Sequence, residues 1–339
     1  MTTSNTAPIS SPTMPRIAVL ATGGTIAGAA PDAASTAGYQ AGALGVNFLL
    51  DAVPSLASVA RIDAEQIASI DSKDLALPLW KTLAARIDAL QADETIDGIV
   101  ITHGTDTLEE TAYALHLTAK GDKPVVLTAA MRPATALSSD GPLNLLNAVT
   151  VAADPAARGQ GVLVAFNNKI HAARDVVKTS TYAVDAFQSP DLGVLGWVQD
   201  GRVEFARRAT RPRDAQLAIH SAWPSVEIVA SYAGVTRTAV DALVAAGVRG
   251  LVVAGTGNGS IHATLQAALA DAVKQGVVVV RASRVGSGHV MKNGAANDDL
   301  LGFVSAGSLN PFKARVLLML ALANGIGERD ALQRVFDTY

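Results

Sequence analysis

The sequence predicts an α/β protein: a larger N-terminal domain built on a parallel sheet and a smaller C-terminal α/β domain. Three observations carry that prediction. Short runs rich in Val, Ile and Leu recur along the 339 residues, separated by segments of helical periodicity, and such alternation is the pattern of a parallel sheet covered by helices. The chain is long enough for two cores. One stretch, 201–223, breaks the alternation with Arg202, Arg207, Arg208, Arg211, Pro212 and Arg213 and few apolar runs, which reads as a linker. The expected division is a disordered tail over 1–15, an N-terminal domain carrying the catalytic residues over 16–202, a linker over 203–224 and a C-terminal domain over 225–339.

The elements follow in order. Residues 17–21, 99–102, 125–128 and 162–166 are apolar runs of strand length in the first domain, and 226–231, 251–254 and 277–281 in the second. Between the first two, Leu79, Leu83, Ile87 and Leu90 fall on one helical face. Leu108, Ala112, Leu115 and Ala119 do the same after residue 106, and His116 falls off that face, where solvent is expected. The scattered Met and Trp residues read as core, and the glycine-rich stretch 286–299 reads as a mobile loop.

Composition narrows the function. Apolar residues make up 49% and charged residues only 17%, with 29 Gly, a compact globular profile rather than disorder. The 27 Lys and Arg against 30 Asp and Glu give a net charge of −3, so no basic excess points to nucleic acid. No cysteine is present, which removes thiol catalysis, disulfides and Cys-ligated metals. The first 15 residues lack the basic start and apolar core of a signal peptide, and no apolar run of membrane-spanning length occurs. The expectation is a cytoplasmic protein without a membrane partner.

The chemistry gathers where strands end on glycine. Residues 17–21 run into Thr22, Gly23, Gly24 and Thr25; residues 99–102 run into His103, Gly104, Thr105 and Asp106. In α/β proteins ligands bind at the carboxyl ends of parallel strands. A third glycine turn, Gly255 to Ser260, follows a strand of the second domain. None fits a dinucleotide fingerprint or a P-loop. Each alone divides evenly between a tight turn and a site; their convergence favours a site with hydroxyl-nucleophile chemistry. Thr25 by default, and Thr105 and Asp106 also, have a simpler reading as helix caps. Lys178 reads as a surface lysine, or as a base toward a threonine hydroxyl if buried beside Asp106. The six histidines show no zinc spacing; His103 is placed to brace the second turn.

Residues 21–28 and 101–112 resemble the two signature motifs of the bacterial L-asparaginases, with the type II, glutaminase-asparaginase branch nearest. The resemblance runs from about Arg16 to Tyr339 and includes 45–47, 53–54, 130–133, 140–142, 174–175 and 309–315, with Ala173 where a glycine is frequent. It implies an amidohydrolase that needs no metal or organic cofactor: R–CO–NH2 plus water gives R–COOH plus ammonia. Thr25 matches the nucleophile, and Tyr39 the tyrosine of a mobile loop that closes over it. Thr105, Asp106 and Lys178 match a supporting triad with Lys178 as base. Ser72 matches a residue holding the substrate α-carboxylate, and Asp106 also the group holding the α-amine. Asn258 and Ser260 match residues contributed by a neighbouring subunit of a homotetramer, a dimer of dimers. Backbone N–H groups of the two glycine turns are expected to stabilise the oxyanion.

The chain departs from that pattern at Lys73, where Gln or Glu is normal, at Ala295 or Ala296, where a loop Glu is normal, and at Ser260, where Asn is common. An extra cation at Lys73, if it points inward beside the ammonium site, predicts weak binding of free L-Asn and L-Gln and a relative gain for amides without a free α-amine; the equal alternative is that the flexible lysine swings to the α-carboxylate or to solvent. The alternatives to an asparaginase are therefore an amidase for such amides, a non-catalytic amino-acid-binding protein on the same fold, and an ammonia-producing subunit of a tRNA amidotransferase, for which an extra N-terminal domain is expected.

Overall fold

The structure, a computed structural model, describes residues 14–36, 38–209 and 217–339. The expected disordered tail lies outside the described residues except for Met14 and Pro15, and the carbonyl of Pro15 accepts the Arg61 N–H at 2.8 Å. Arg211, Pro212 and Arg213 of the expected linker also lie outside them.

The first part of the chain forms β1 (Arg16–Gly23), α1 (Val46–Asp51), β2 (Arg61–Ile70), α2 (Pro78–Ala92), β3 (Gly98–Thr102), α3 (Leu108–Thr118), β4 (Val125–Thr128), α4 (Gly141–Ala153), β5 (Val162–Phe166), β6 (Lys169–Ala172), β7 (Val177–Lys178), β8 (Phe187–Gln188), β9 (Gly196–Gln199) and β10 (Arg202–Phe205). Eight of these strands build one sheet in the order β10-β9-β6-β5-β4-β3-β1-β2. From β2 to β5 it is parallel, as predicted. Beyond β5 it turns antiparallel.

Two tight turns explain that change. Asn167 and Asn168 join β5 to β6 with φ of 47° and 63°, and Asp200 and Gly201 join β9 to β10 with φ of 49° and 75°. Two left-handed residues in succession are the hairpin geometry that Asn and Asp-Gly favour. Gly201 is thus a hairpin residue and not the start of a linker. The large sheet runs to Phe205, past the boundary expected at 202.

The second part forms β11 (Val226–Ala230), α5 (Thr238–Ala245), β12 (Gly250–Gly255), α6 (Ala263–Lys274), β13 (Val278–Ser283), α7 (Asp298–Leu301), β14 (Phe303–Ser305), α8 (Pro311–Ala323) and α9 (Arg329–Thr338). Its four strands are parallel throughout, in the order β11-β12-β13-β14.

Side chains alternate across each strand, so each sheet feeds two cores. In the large sheet Val19, Val100, Val126 and Leu163 face α4, while Leu20, Ile99, Ile101 and Leu127 face α2 and α3. The predicted stripe of α2 is in place: Leu83, Ile87 and Leu90 are buried and Leu79 packs partly against them. Helix α3 departs from the expected one-sided burial. Tyr113, Ala114 and Leu117 on its other side pack against Val316, Leu317, Leu320 and their neighbours on α8. The helix is therefore enclosed between the large sheet and the second domain. His116, expected in solvent, is buried, and its Nδ1 accepts the Val162 N–H of β5 at 3.3 Å. Trp80 and Met319 are core, as expected, whereas Trp197, Met14 and Met291 are exposed.

Candidate active site

Strands β1 and β3 are hydrogen-bonded neighbours running parallel, so their carboxyl ends emerge side by side. Gly23 and Gly24 have φ of 101° and 78°, which L side chains rarely adopt. A Cβ on Gly24 would overlap the backbone N and Cα of Gly104, and a Cβ on Gly104 would overlap the Ser72 side chain. The glycines thus let three segments close on one another: the turn after β1, the turn after β3 and the 72–74 turn.

Thr25 opens a single turn of 3-10 helix, and Gly24 occupies its cap position. The default reading of Thr25 as an N-cap is therefore set aside. Its hydroxyl is buried and lies 2.6 Å from the Tyr39 hydroxyl. Tyr39 arrives on a segment folded back over this turn, held by the paired bridge between Ala29 and Gln40 and by Gly42 N–H donating to the Gly24 carbonyl at 3.0 Å.

Thr105 and Asp106 do not cap α3 either; Thr107 holds that position, and its hydroxyl donates to the Ser72 carbonyl at 2.8 Å. Their side chains turn instead to Lys178. Its Nζ donates to Thr105 Oγ1 at 2.9 Å and to Asp106 Oδ1 at 2.6 Å. The Lys178 side chain is 20% exposed and that of Asp106 52%. A lysine so enclosed and charge-paired is not a surface lysine. Ser72 is buried, and its Oγ accepts the Asp106 N–H at 3.2 Å.

His103 braces the second turn. Its Nδ1–H donates to the Gly104 carbonyl at 2.8 Å, which leaves Nε2 to accept from Thr111 Oγ1 at 3.1 Å. Burial pushes its pKa down to about 4, so the ring is neutral.

Three expectations are corrected. Lys73 is exposed and forms an ion pair with Asp74, with Asp71 at 3.9 Å. The hydrogen bond to Asp74 raises its pKa, so it is a charged ammonium turned toward Asp74 at the surface. The stretch 286–299 is anchored over its second half: Asp298 pairs with both Nε and Nη2 of Arg281 at 2.7 and 2.6 Å, and both side chains are fully buried. The Met291 carbonyl and the Asn293 N–H join the same pair. Finally, not every N–H of the glycine turns is available to an oxyanion. Gly24 donates to the Ile70 carbonyl at 2.8 Å and His103 to that of Thr128 at 2.9 Å.

Asn258 and Ser260 sit in an exposed turn at the end of β12, closed by the Thr256–Ser260 bridge. Asn258 Oδ1 accepts the Met291 N–H at 2.8 Å. Among the described residues, no hydrogen bond joins either to the Thr25 and Lys178 clusters.

One participant escaped sequence reasoning. Glu109 looks like a first-turn helix acid, a position favoured by the helix dipole. It is buried, and its carboxylate accepts the backbone N–H of Lys178 at 2.6 Å and Asn310 Nδ2 at 2.7 Å. Asn310 before Pro311 carries a helix-start signal, but no local pattern could reveal a contact 201 residues away. Among the described residues no group of three His, Asp or Glu converges as a metal site.

The comparisons with known proteins agree with this geometry. Residues 16–211 match the family described as Asparaginase, N-terminal, and 225–336 the Glutaminase/Asparaginase C-terminal domain. The chain is 46% identical over 330 residues to the "Probable L-asparaginase periplasmic" of Haemophilus influenzae, covering 96% of this chain and 93% of that protein. It is 45% identical over 330 residues to "L-asparaginase 2" of Escherichia coli, covering 96% and 94%. It is 44% identical over 328 residues to the "Glutaminase-asparaginase" of Pseudomonas fluorescens biotype A, covering 95% and 90%. Among solved structures, that of "Probable Cytoplasmic L-asparaginase from Campylobacter jejuni" matches with a TM-score of 0.92 at 48% identity, covering 96% of this chain and 100% of that one. Two family domains in their proper order, on a fold that brings a threonine–tyrosine pair and a lysine-centred triad to adjacent strand ends, lead to one conclusion: the chain belongs to the asparaginase family of amidohydrolases.

Proposed function

We propose that the protein hydrolyses the side-chain carboxamide of L-asparagine to L-aspartate and ammonia, and that of L-glutamine alongside it, through an acyl group carried on Thr25. The observation that carries this reading is the pairing of Thr25 Oγ1 with the Tyr39 hydroxyl at 2.6 Å beside a buried turn, with Lys178 held against Thr105 and Asp106. Thr25 Oγ bonds to the amide carbon while the carbonyl π pair moves onto oxygen. The threonine proton passes by way of Thr105 to the Lys178 amine, which becomes an ammonium paired with Asp106. The tetrahedral centre collapses, the leaving nitrogen takes the proton back from Lys178, the C–N bond breaks and ammonia departs. Water then attacks the ester, releases the acid and restores the Thr25 hydroxyl. The N–H groups of Thr25 and Thr105, for which no acceptor stands among the described residues, are the donors we assign to the oxyanion.

Ser72 and Asp106 are assigned to the α-carboxylate and α-amine of the substrate, with Asn258 and Ser260 of a neighbouring subunit completing the pocket in a homotetramer. Their exposure on one chain, away from the threonine, supports a role across an interface. The pairing of Lys73 with Asp74 supports binding of a free α-amine and withdraws the ground for favouring amides that lack one. A cytoplasmic location is part of the proposal; the relatives named above include one called periplasmic and one called cytoplasmic, and cell fractionation tests it. The test of function is ammonia release from L-Asn, L-Gln, D-Asn and succinamate. Release from L-Asn above the others supports the reading, and silence on all four overturns it. A monomer active at assay concentration overturns the shared site.

A further inference from the structure

The segment that carries Lys178 has little structure of its own. Strand β7 is two residues long and pairs only with the equally short β8. What holds it comes from elsewhere. The Lys178 N–H donates to Glu109 Oε2 at 2.6 Å, and the other carboxylate oxygen accepts Asn310 Nδ2 at 2.7 Å. Asn310 Oδ1 simultaneously accepts the Lys313 N–H at 2.9 Å, capping α8. Lys313 is itself buried and donates to the carbonyls of Arg174 and Val176, at 2.7 and 2.5 Å. Burial pushes its pKa down to about 8, so at neutral pH it is still a charged donor. Arg174 adds a bond to Ser308 Oγ at 3.0 Å. The first turn of α8, in the second domain, is therefore wired to the backbone on the N-terminal side of Lys178 and, through Glu109, to Lys178 itself. Asp106, Glu109, Lys178 and Asn310 border one cleft of about 590 Å³ between the domains.

We propose that Glu109, completed by Asn310, is a positioning residue for the base: each subunit's own C-terminal domain sets Lys178 Nζ against Thr105 and Asp106. The inference rests on the hydrolase reading above. Both carboxylate oxygens of Glu109 are engaged by N–H donors, and a carboxylate held at both ends allows its partners little travel. A gln side chain there would turn an NH2 toward one of those donors. Misplacing a reacting group by about 1 Å costs on the order of a hundredfold in rate. Of the groups assigned to the substrate, Ser72 lies on another segment, and Asp106, although it touches Lys178, is held through its own N–H by Ser72 Oγ at 3.2 Å, so the loss belongs chiefly to kcat.

The experiment compares wild type, Glu109→Gln and Asn310→Ser by L-Asn kinetics and thermal unfolding. Serine keeps a cap on α8 but is too short to span to Glu109. We expect kcat to fall about tenfold or more in Glu109→Gln and by a smaller factor in Asn310→Ser, with KM within about threefold in both. An active wild type with kcat unchanged in folded variants, or with loss confined to KM, overturns the positioning role and leaves the hydrolase reading intact. A wild type silent on every amide overturns the hydrolase reading and this inference with it. Should Glu109→Gln fail to fold, Asn310→Ser decides alone, since it leaves Glu109 and the cap in place.

Discussion

Thr25 and Thr105 stand at equivalent places after two neighbouring parallel strands, yet their hydroxyls meet different chemistry. Thr25 faces a phenol, and Thr105 faces an ammonium already shared with a carboxylate. The proposed reacting role of Thr25 rests on its contact with Tyr39 and on the resemblance of its turn to the family's nucleophile motif. Replacing Thr25 with Ala is expected to lower kcat by more than about a hundredfold with the unfolding midpoint near that of wild type; a folded variant above that rate means another nucleophile. Lys178→Met should reduce kcat far more than it raises KM, and a change in KM alone would reassign Lys178 to binding. At Lys73 the structure reverses the direction expected from charge alone. Its ammonium pairs with Asp74 and lies near Asp71, and an exposed pair of this kind matters little. Lys73→Gln should leave kcat/KM for L-Asn within about threefold. A large gain would restore the repulsive cation.

At the scale of elements, the site depends on two joints. The first is the contact of the Gly24 turn with the Gly104 turn. Gly24→Ala meets both a left-handed φ and the backbone of residue 104. A positive φ with ψ of −172° is a region essentially reserved for glycine and costs about 1–3 kcal/mol, and relief of the overlap requires the two strand ends to part. Urea unfolding should report at least that loss, and ammonia release should fall with it; an active, fully stable Gly24→Ala protein would mean the contact is dispensable. The second joint is Arg281 with Asp298, which ties the loop carrying Met291 to the turn carrying Asn258 through the Met291, Asn258 and Gly259 carbonyls. Arg281→Met leaves a buried carboxylate without its partner, a loss of about 3–5 kcal/mol. An unfolding curve matching wild type would refute that account.

For the whole molecule, two buried histidines predict acid sensitivity. Burial pushes the pKa of His103 and of His171 from 6.5 down to about 4. The unfolded chain therefore binds protons between those values that the folded chain does not. The stability at stake is fully present above pH 6.5 and drains away as pH falls toward 4, on the order of 3 kcal/mol per histidine. The urea midpoint should drop between pH 7 and pH 5, and His103→Gln should flatten the drop. A midpoint independent of pH across that window would contradict the neutral buried rings.

Alternating apolar runs and glycine-terminated strands are local facts, and they carried far: the seven expected strands, the α2 stripe and the turns that hold Thr25, Thr105 and Asp106 were readable from neighbouring residues, whereas the contact of Lys178 with Asp106, 72 residues away, was not. The Asp200-Gly201 hairpin carries its own local signal, but the arginine-rich stretch after it reads as a linker. What remained hidden depends on contacts between distant residues. His116 is buried where its Nδ1 accepts the Val162 N–H of the large sheet, 46 residues along the chain. Glu109 reaches Lys178 and Asn310 only after two domains close on each other. A sequence determines which residues favour a strand, a turn or a cap through energies within one or two turns of chain. Whether a charged or polar side chain ends in water or in a buried pair is settled by what packs over it, and that only the tertiary structure decided.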